Sequence, residues 1–288
     1  MPDPTAPAVA PRLTIVIVSY NAREDLDACL ESLTAAPPHT PHQVVVVDNA
    51  SNDDSAAHVR RRWPQVRLMA LSQNVGFARA NNQAIRDTAG ELVLLLNSDT
   101  VLPAGAVDEL VDALSATPAA AVAGPRLIDS EGFPEVSFGP MVGPLAEAGQ
   151  KKRGRAIEAR DSAALAAFAQ QLSVRQFPDW VSGACLLVRR ADAEAVGLLD
   201  ERYFMYLEDV DFCAAVRARG RSILFAPDIS VIHHRGRSRR TARSATDLAY
   251  RRSHLAFYGK HHPLWAPLLH LYLWLKQEHP ARRESPGR

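Results

Sequence analysis

Cysteine is scarce in this 288-residue chain: there are only Cys29, Cys185 and Cys213, an odd number and widely spaced. That excludes a disulfide framework, and with no C-x-x-C pair it also excludes a cysteine zinc site. Each of the three has apolar neighbours, which predicts buried free thiols in a reducing compartment. Glycine-rich phosphate loops are missing too. No G-x-G-x-x-G follows any strand-like run and no G-x-x-x-x-G-K-[ST] occurs, which argues against a dinucleotide fold and a P-loop. The N-terminus is rich in Pro and Ala and lacks the basic start and apolar run of a signal peptide. The longest apolar stretch, Leu264 to Leu275, is broken by Pro267 and His270 and is too short to span a bilayer. These absences together predict a cytoplasmic chain. A formal net charge of +1 gives no overall pull toward nucleic acid, and none is expected as a partner. The charge is unevenly spread, however. Between Arg235 and Lys260 stand eight Lys or Arg and one acid, Asp247. Such a stretch suits phosphate groups or an anionic lipid surface, or else is a solvated face.

What the chain does have is hydrophobic residues at 47% and charged residues at 23%, ordinary for a globular protein with a sizeable core. After a proline-rich tail over residues 1–11, short β-branched runs alternate with helix-like segments. The runs are Leu13 to Val18, Gln43 to Val47, Val66 to Leu71 and Glu91 to Leu96; the helical segments begin near Arg23, Asp53, Phe77 and Ala104. Continuous apolar runs predict strands buried on both faces. Their alternation with helices predicts an α/β, Rossmann-like, mostly parallel sheet flanked by helices. Ligands of such sheets bind beyond the carboxyl ends of the strands. The second half is less regular. Strands are predicted at Ala120 to Val122, Trp180 to Val188 and Ser222 to Phe225, with a helix over Asp209 to Arg219. Residues 139–176 read as a mobile loop or a short added helix, and residues 241–288 as a helical C-terminal extension. The domain is thus expected over 12–240, with a nucleotide-binding half at 12–125 and an acceptor half at 126–240.

Polar residues gather at the predicted strand ends. Ser19-Tyr20-Asn21 follows the first and either faces a nucleotide or caps a helix. Asp48 ends the second, where an acid can accept hydrogen bonds from a base or ribose. After the third, Gly76 allows a close backbone approach, Asn74 offers an amide and Arg79 is suited to a phosphate. The fourth ends in Asn97-Ser98-Asp99. An unpaired carboxylate there is costly to bury, and a divalent cation bridging it to a diphosphate removes that cost; oxygen ligands suit Mg²⁺ or Mn²⁺. A helix cap is the alternative. Glu208-Asp209-Val210-Asp211 follows an aromatic run, and paired carboxylates of this kind provide a general base if burial raises one pKa. His233-His234 ends a strand before the basic stretch.

Taken in order, Ile17-Val18-Ser19-Tyr20-Asn21, Val46-Val47-Asp48-Asn49-Ala50-Ser51, Asn74-Val75-Gly76-Phe77 with Asn82, Leu96-Asn97-Ser98-Asp99, Trp180-Val181-Ser182-Gly183-Ala184, Glu208-Asp209-Val210-Asp211 and His233-His234-Arg235-Gly236-Arg237-Ser238 resemble the family 2 glycosyltransferases of the GT-A fold, and among them a bacterial rhamnosyltransferase-like branch. The resemblance implies a nucleotide site of Ser19, Tyr20, Asn21, Asp48, Asn74, Arg79 and Ser98. It implies metal ligation by Asp99, at the last position of the family's D-x-D motif, and by His233; Asn97 replaces the first Asp. Asp209 corresponds to the catalytic base, and Trp180, Gly183 and Glu208 to the acceptor side. The implied reaction is an inverting transfer from a nucleotide-diphosphate sugar, with dTDP-rhamnose the first choice, to a saccharide hydroxyl that a polyprenyl diphosphate carries. Leu264 to Leu275 is expected to rest on a membrane surface or on its own domain or a second subunit, as in a homodimer. A sugar nucleotidyltransferase, or a non-catalytic sugar- or lipid-binding relative, are the rival readings.

Overall fold

The computed structural model describes residues 11–234, 243–276, 278 and 280. The proline-rich tail to residue 10, residues 235–242 of the predicted basic stretch with the end of the His233–Ser238 motif, and the last eight residues lie outside them.

Four strands with continuous apolar runs build one half of the sheet: β1 (Leu13–Ser19), β2 (His42–Asp48), β3 (Arg67–Ala70) and β4 (Leu92–Asn97). They are parallel and adjacent in the order β3-β2-β1-β4. Helices α1 (Arg23–Ala35), α2 (Ser55–Arg62), α3 (Phe77–Arg86) and α4 (Ala106–Ser115) link or follow them. The reason for the unbroken hydrophobicity is visible in β1. Leu13, Ile15 and Ile17 enter a core shared with α1, α2 and α4, while Val16 and Val18 enter a second core that includes α3 on the opposite face. With a period of two, a strand covered on both sides needs apolar residues at every position.

The other half is mixed. β5 (Thr100–Val101), β6 (Ala120–Ile128), β9 (Cys185–Arg189) and β10 (Ser222–His233) extend the sheet in the order β4-β9-β6-β10-β5. β9 runs antiparallel to both β4 and β6. A small second sheet pairs β7 (Phe138–Gly139) with β8 (Trp180–Val181).

Three expectations need correction. The predicted strand Trp180 to Val188 is two strands, interrupted at Ser182-Gly183-Ala184, and they belong to different sheets. The strand expected to end at Phe225 continues to His233; Pro227 falls where the register shifts between Ala226 and Ser230, so the lost amide donor does not stop the pairing. Residues 139–176 form two helices, α5 (Glu147–Glu158) and α6 (Ser162–Leu172), the second capped by Asp161 accepting from the Ala164 N–H at 2.8 Å. The remaining helices are α7 (Arg190–Ala195), α8 (Glu208–Ala218), α9 (Arg243–His261) and α10 (Ala266–Leu275). All three cysteines are buried and free, and burial pushes each thiol up to about 12.

Candidate active site

The parallel register brings the predicted donor residues to one edge. Ser19 lies opposite Asp48, and Val18 opposite Asn97, so β1, β2 and β4 end together. At this rim Ser19 is fully buried with no partner for its Oγ. Asp48 is buried with its Oδ1 unpartnered, while its Oδ2 accepts from the Ser51 N–H at 3.2 Å. Orphaned buried polar atoms are rare and costly. Two of them side by side at the carboxyl ends of neighbouring strands fit a polar ligand that completes them.

The loops around this edge are fastened to one another rather than to a ligand. Asn21, at φ 49°, donates its N–H to Ser51 Oγ at 2.9 Å and accepts from the Asn52 N–H at 2.7 Å. Asn74 Oδ1 accepts from Asn49 Nδ2 at 2.9 Å and from the Gly76 N–H at 3.0 Å, and Asn49 Oδ1 accepts from the Val75 N–H. The close approach expected at Gly76 is real, but its partner is protein. At φ +83° an added Cβ would lie 2.4 Å from the Phe204 carbonyl oxygen, which accepts from the Phe77 N–H at 2.7 Å. Arg79 is withdrawn from the phosphate role: its Nε donates to Glu201 at 2.9 Å, and Glu201 also receives Asn82 and Arg86. Tyr20 is exposed at the rim and Ser98 buried beside Asp99.

Asp99 follows β4 and meets the end of β10. His234 N–H donates to the Asp99 carbonyl at 2.8 Å, and Asp99 Oδ1 lies 3.2 Å from His233 Nε2. On the other side of the ring, Nδ1 lies 2.9 Å from Oε2 of Glu135, a buried acid that nothing in the sequence marked. The chain turns after β6 and returns so that the Glu135 N–H donates to the Leu127 carbonyl, while Ile232 of β10 pairs with Ile128. Glu135 is thereby brought beneath His233. Burial by itself would lower the histidine, but hydrogen bonds and charge from Asp99 and Glu135 raise its pKa to about 9. Asp99 is drawn below the usual aspartate value by His233 despite its own burial.

Among the described residues no group of three His, Cys, Asp or Glu is gathered as a metal cage. The pair still fits a divalent ion in a more limited way. It offers one carboxylate oxygen and one imidazole nitrogen, the latter oriented from behind by a carboxylate, as metal-binding histidines usually are. Asn97 Nδ2 stands 3.4 Å from the same Nε2 and adds no charge. Such a site needs substrate oxygens to complete it, which is the habit of Mg²⁺ and Mn²⁺.

The catalytic side is assembled by the strand break. Asn97 N–H donates to the Ala184 carbonyl at 2.9 Å, so the Ser182–Ala184 turn sits at the same rim. Gly183 N–H then donates to Asp209 Oδ2 at 2.8 Å, and a Cβ on Gly183 would stand 3.3 Å from the Asp209 Cβ. Gly183 positions Asp209. The Val210 N–H donates to its other oxygen at 2.8 Å. Burial raises the Asp209 pKa above the ordinary value although these two amides pull it down. Its neighbour Glu208 is buried, has an unpartnered Oε2 and is pushed well above the usual glutamate value, by burial and then by the charge of Asp209. Both acids are thus shifted upward, Glu208 with the charge of Asp209 added to its burial, as paired carboxylates in a base site are. The chain enters them through Tyr206 and Leu207 at φ 70° and 66°, two consecutive left-handed residues without a glycine. Strain of this kind costs about 1–3 kcal/mol per residue and gathers at functional sites. Trp180 flanks the Ser182–Ala184 turn, its Nε1 donating to the Pro140 carbonyl at 2.9 Å.

Residues 14–167 match the family described as Glycosyl transferase family 2. The chain belongs to glycosyltransferase family 2. The family 2 chain is 32% identical over 272 residues to the N-acetylglucosaminyl-diphospho-decaprenol L-rhamnosyltransferase of Mycobacterium tuberculosis, an overlap of 89% of this chain and 87% of that one. It is 25% identical over 229 residues to the low-salt glycan biosynthesis hexosyltransferase Agl10 of Haloferax volcanii, covering 77% of this chain and 67% of the relative. Among solved structures, a mannosyltransferase from Pyrobaculum calidifontis in complex with GDP-Man and Mn²⁺ superposes with a TM-score of 0.59 at 22% identity, over 98% of this chain and 75% of that one. The S. aureus TarS 1–349 structure gives 0.54 at 15% identity, over 88% and 74%. These likenesses show the GT-A fold. Membership makes this chain a glycosyltransferase, an enzyme of sugar transfer, and sets aside the nucleotidyltransferase and non-catalytic readings.

Proposed function

We propose that this glycosyltransferase moves a sugar, rhamnose from dTDP-rhamnose, onto a hydroxyl of a saccharide carried by a polyprenyl diphosphate, with inversion at the anomeric carbon. The observation that carries the catalytic part is Asp209: a carboxylate of raised pKa, fixed by the Gly183 and Val210 amides at the rim where β1, β2 and β4 end. The 32% identity to a transferase named for an N-acetylglucosaminyl-diphospho-decaprenol acceptor supports the choice of sugar and carrier.

In this reading Ser19 and Asp48 receive the nucleotide on their orphaned oxygens, with Asp48 at the base. Tyr20 and Ser98 border it, and Asn21 and Asn74 shape the pocket by tying its loops. Asp99 and His233 hold Mg²⁺ or Mn²⁺, which when bound neutralises charge on the donor diphosphate. Asp209 accepts the proton of the acceptor hydroxyl as that oxygen attacks the anomeric carbon, and the nucleoside diphosphate leaves from the opposite face. Glu208 keeps its proton and adds no second charge beside the base. Gly183 and Trp180 form the wall on which the acceptor lies.

The test is acceptor-dependent release of nucleoside diphosphate from a panel of nucleotide sugars, with an N-acetylglucosaminyl-diphospho-prenol as acceptor and Mn²⁺ present. Turnover with dTDP-rhamnose and a product of inverted anomeric configuration by NMR are expected. Preference for another donor would overturn the sugar; a product that retains configuration would overturn the single displacement.

A further inference from the structure

The last described helix has two apolar faces. On α10, Ala266, Leu269 and Leu273 (spacing i, i+3, i+7) face inward: Ala266 and Leu269 pack with Tyr203, Val210, Phe257 and Tyr258, and Leu273 is fully buried. Away from that side Leu268, Leu271, Tyr272, Trp274 and Leu275 are all exposed, as are Leu264 and Trp265 in the turn before the helix, Leu264 at 88%. At 100° per residue the five within the helix, Leu268, Leu271, Tyr272, Trp274 and Leu275, fall on one arc of about 160°, opposite the inner stripe. No Asp, Glu, Lys or Arg occurs between Lys260 and Lys276. Leu145, 89% exposed, extends the apolar surface from the loop whose Gly143 lies against His262. An exposed apolar face of this extent needs an occupant.

The chain itself has none to offer. Residues 235–242 and 281–288 contain no large apolar side chain, and residues 1–10 contain only Met1 and Val9. Charge decides between the remaining occupants. Residues 235–288 hold twelve of the 33 Lys and Arg but three of the 32 acids, leaving 21 bases against 29 acids in the first 234 residues. A dimer of this chain would join two copies that each carry this basic C-terminal sequence. An anionic lipid surface complements both the charge and the apolar arc, with Trp265 and Tyr272 suited to the headgroup boundary. At ten residues α10 is too short to cross a bilayer, and no described helix is long and apolar enough to do so.

We propose that the outer face of α10, with Leu145, seats this protein in the interface of an anionic membrane. This rests in part on the lipid-linked acceptor proposed above and gives it a route. The inner face of α10 packs in the same apolar cluster as Val210, next to the Asp209 base, and as Trp180. A protein seated by α10 thus has Trp180 of its proposed acceptor wall packed against the same apolar cluster as the helix that meets the bilayer.

The experiment is sedimentation of the full chain with vesicles of phosphatidylglycerol and phosphatidylethanolamine, and with phosphatidylcholine vesicles as comparison. Expected is binding to the anionic vesicles, weakened in high salt and reduced at least tenfold by Leu268→Glu with Leu271→Glu. Both positions are exposed, so the variant should keep its circular dichroism and its donor-induced thermal shift. Failure of the wild type to bind anionic vesicles overturns the proposal. So does a wild-type dimer by light scattering that the double variant converts to monomer with vesicle binding unchanged. Vesicle binding lost in the variant supports it even if no rhamnosyl transfer is found; that outcome fails only the donor and acceptor assignment.

Discussion

At the residue scale the two neighbouring acids make opposite demands. As the proposed base Asp209 must be ionised, so Asp209→Asn should reduce transfer by roughly 10²–10⁴-fold, the usual contribution of a general base, while the donor still raises the melting temperature. Because its pKa is raised, the acidic limb of kcat/KM should lie above the ordinary aspartate range and vanish in the variant. Burial and the charge of Asp209 raise the Glu208 pKa in the folded state above its unfolded value. The unfolded chain therefore releases a proton near the ordinary glutamate pKa that the native chain retains. Stability should then fall as pH rises from that value toward the raised folded pKa, by about 1.4 kcal/mol per pH unit at most. Glu208→Gln should flatten that slope in denaturant titrations across pH; an unchanged slope would mean that Glu208 is not the neutral partner. Glu135 touches the ring of His233, one of the two proposed metal ligands. Glu135→Gln should weaken Mn²⁺ binding about 10–100-fold by calorimetry with the fold intact, as loss of an orienting carboxylate does elsewhere.

At the scale of elements, the strands were legible and their interruptions were not. β1, β2 and β4 announce themselves because both faces are buried, and the polar residue ending each run marks the rim. Ser182-Gly183-Ala184 is hidden because three small residues look as compatible with a strand as with a turn; only the Gly183–Asp209 hydrogen bond gives it a role. Glu135 is equally hidden, a single acid beyond a turn whose meaning depends on β6 and β10 being paired. Arg79 and Asn74 were read as ligand groups because sequence shows a side chain's chemistry without its neighbours; Glu201 and Asn49 already engage them. Asp211, in the same motif as the base, turns out to be a clamp. It is buried and accepts from Tyr203 at 3.1 Å, Lys260 at 2.8 Å and His261 at 2.6 Å, fastening α9 to α8. Asp211→Ala would leave the Tyr203 hydroxyl and the His261 ring without this acceptor and Lys260 with Asp200 alone, and should cost about 3 kcal/mol, with faster amide exchange in the last turn of α9 than in β1.

At the scale of the whole molecule, the C-terminal helices are built into the catalytic unit. Phe257 is fully buried in the cluster that holds Tyr203 and Val210. Glu147 of α5 takes the Tyr258 hydroxyl and the Lys151 ammonium, with His254 at 2.8 Å; these partners overcome its burial and hold its pKa near 2. Lys260 and His261 close the far end on Asp211. Sequence suggested an extension because the parallel-sheet pattern ends well before residue 241, and pattern alone cannot show that a later helix supplies the third apolar cluster. The two truncations should differ accordingly. Ending the chain after residue 240 removes Phe257, Tyr258, Lys260 and His261 together, exposing one side of the Tyr203–Val210 cluster and leaving Glu147 and Asp211 as buried acids without their main partners. Each such loss costs several kcal/mol against a total stability of about 5–15 kcal/mol. That chain should fail to fold or lose donor binding. Ending it after residue 262 keeps every one of these contacts and removes α10, so a donor-stabilised fold should survive. The intact protein should unfold in a single calorimetric transition that a nucleotide sugar in excess shifts as a whole. Two separable transitions, of which only one responds to the donor, would show the C-terminal helices to be an independent unit after all.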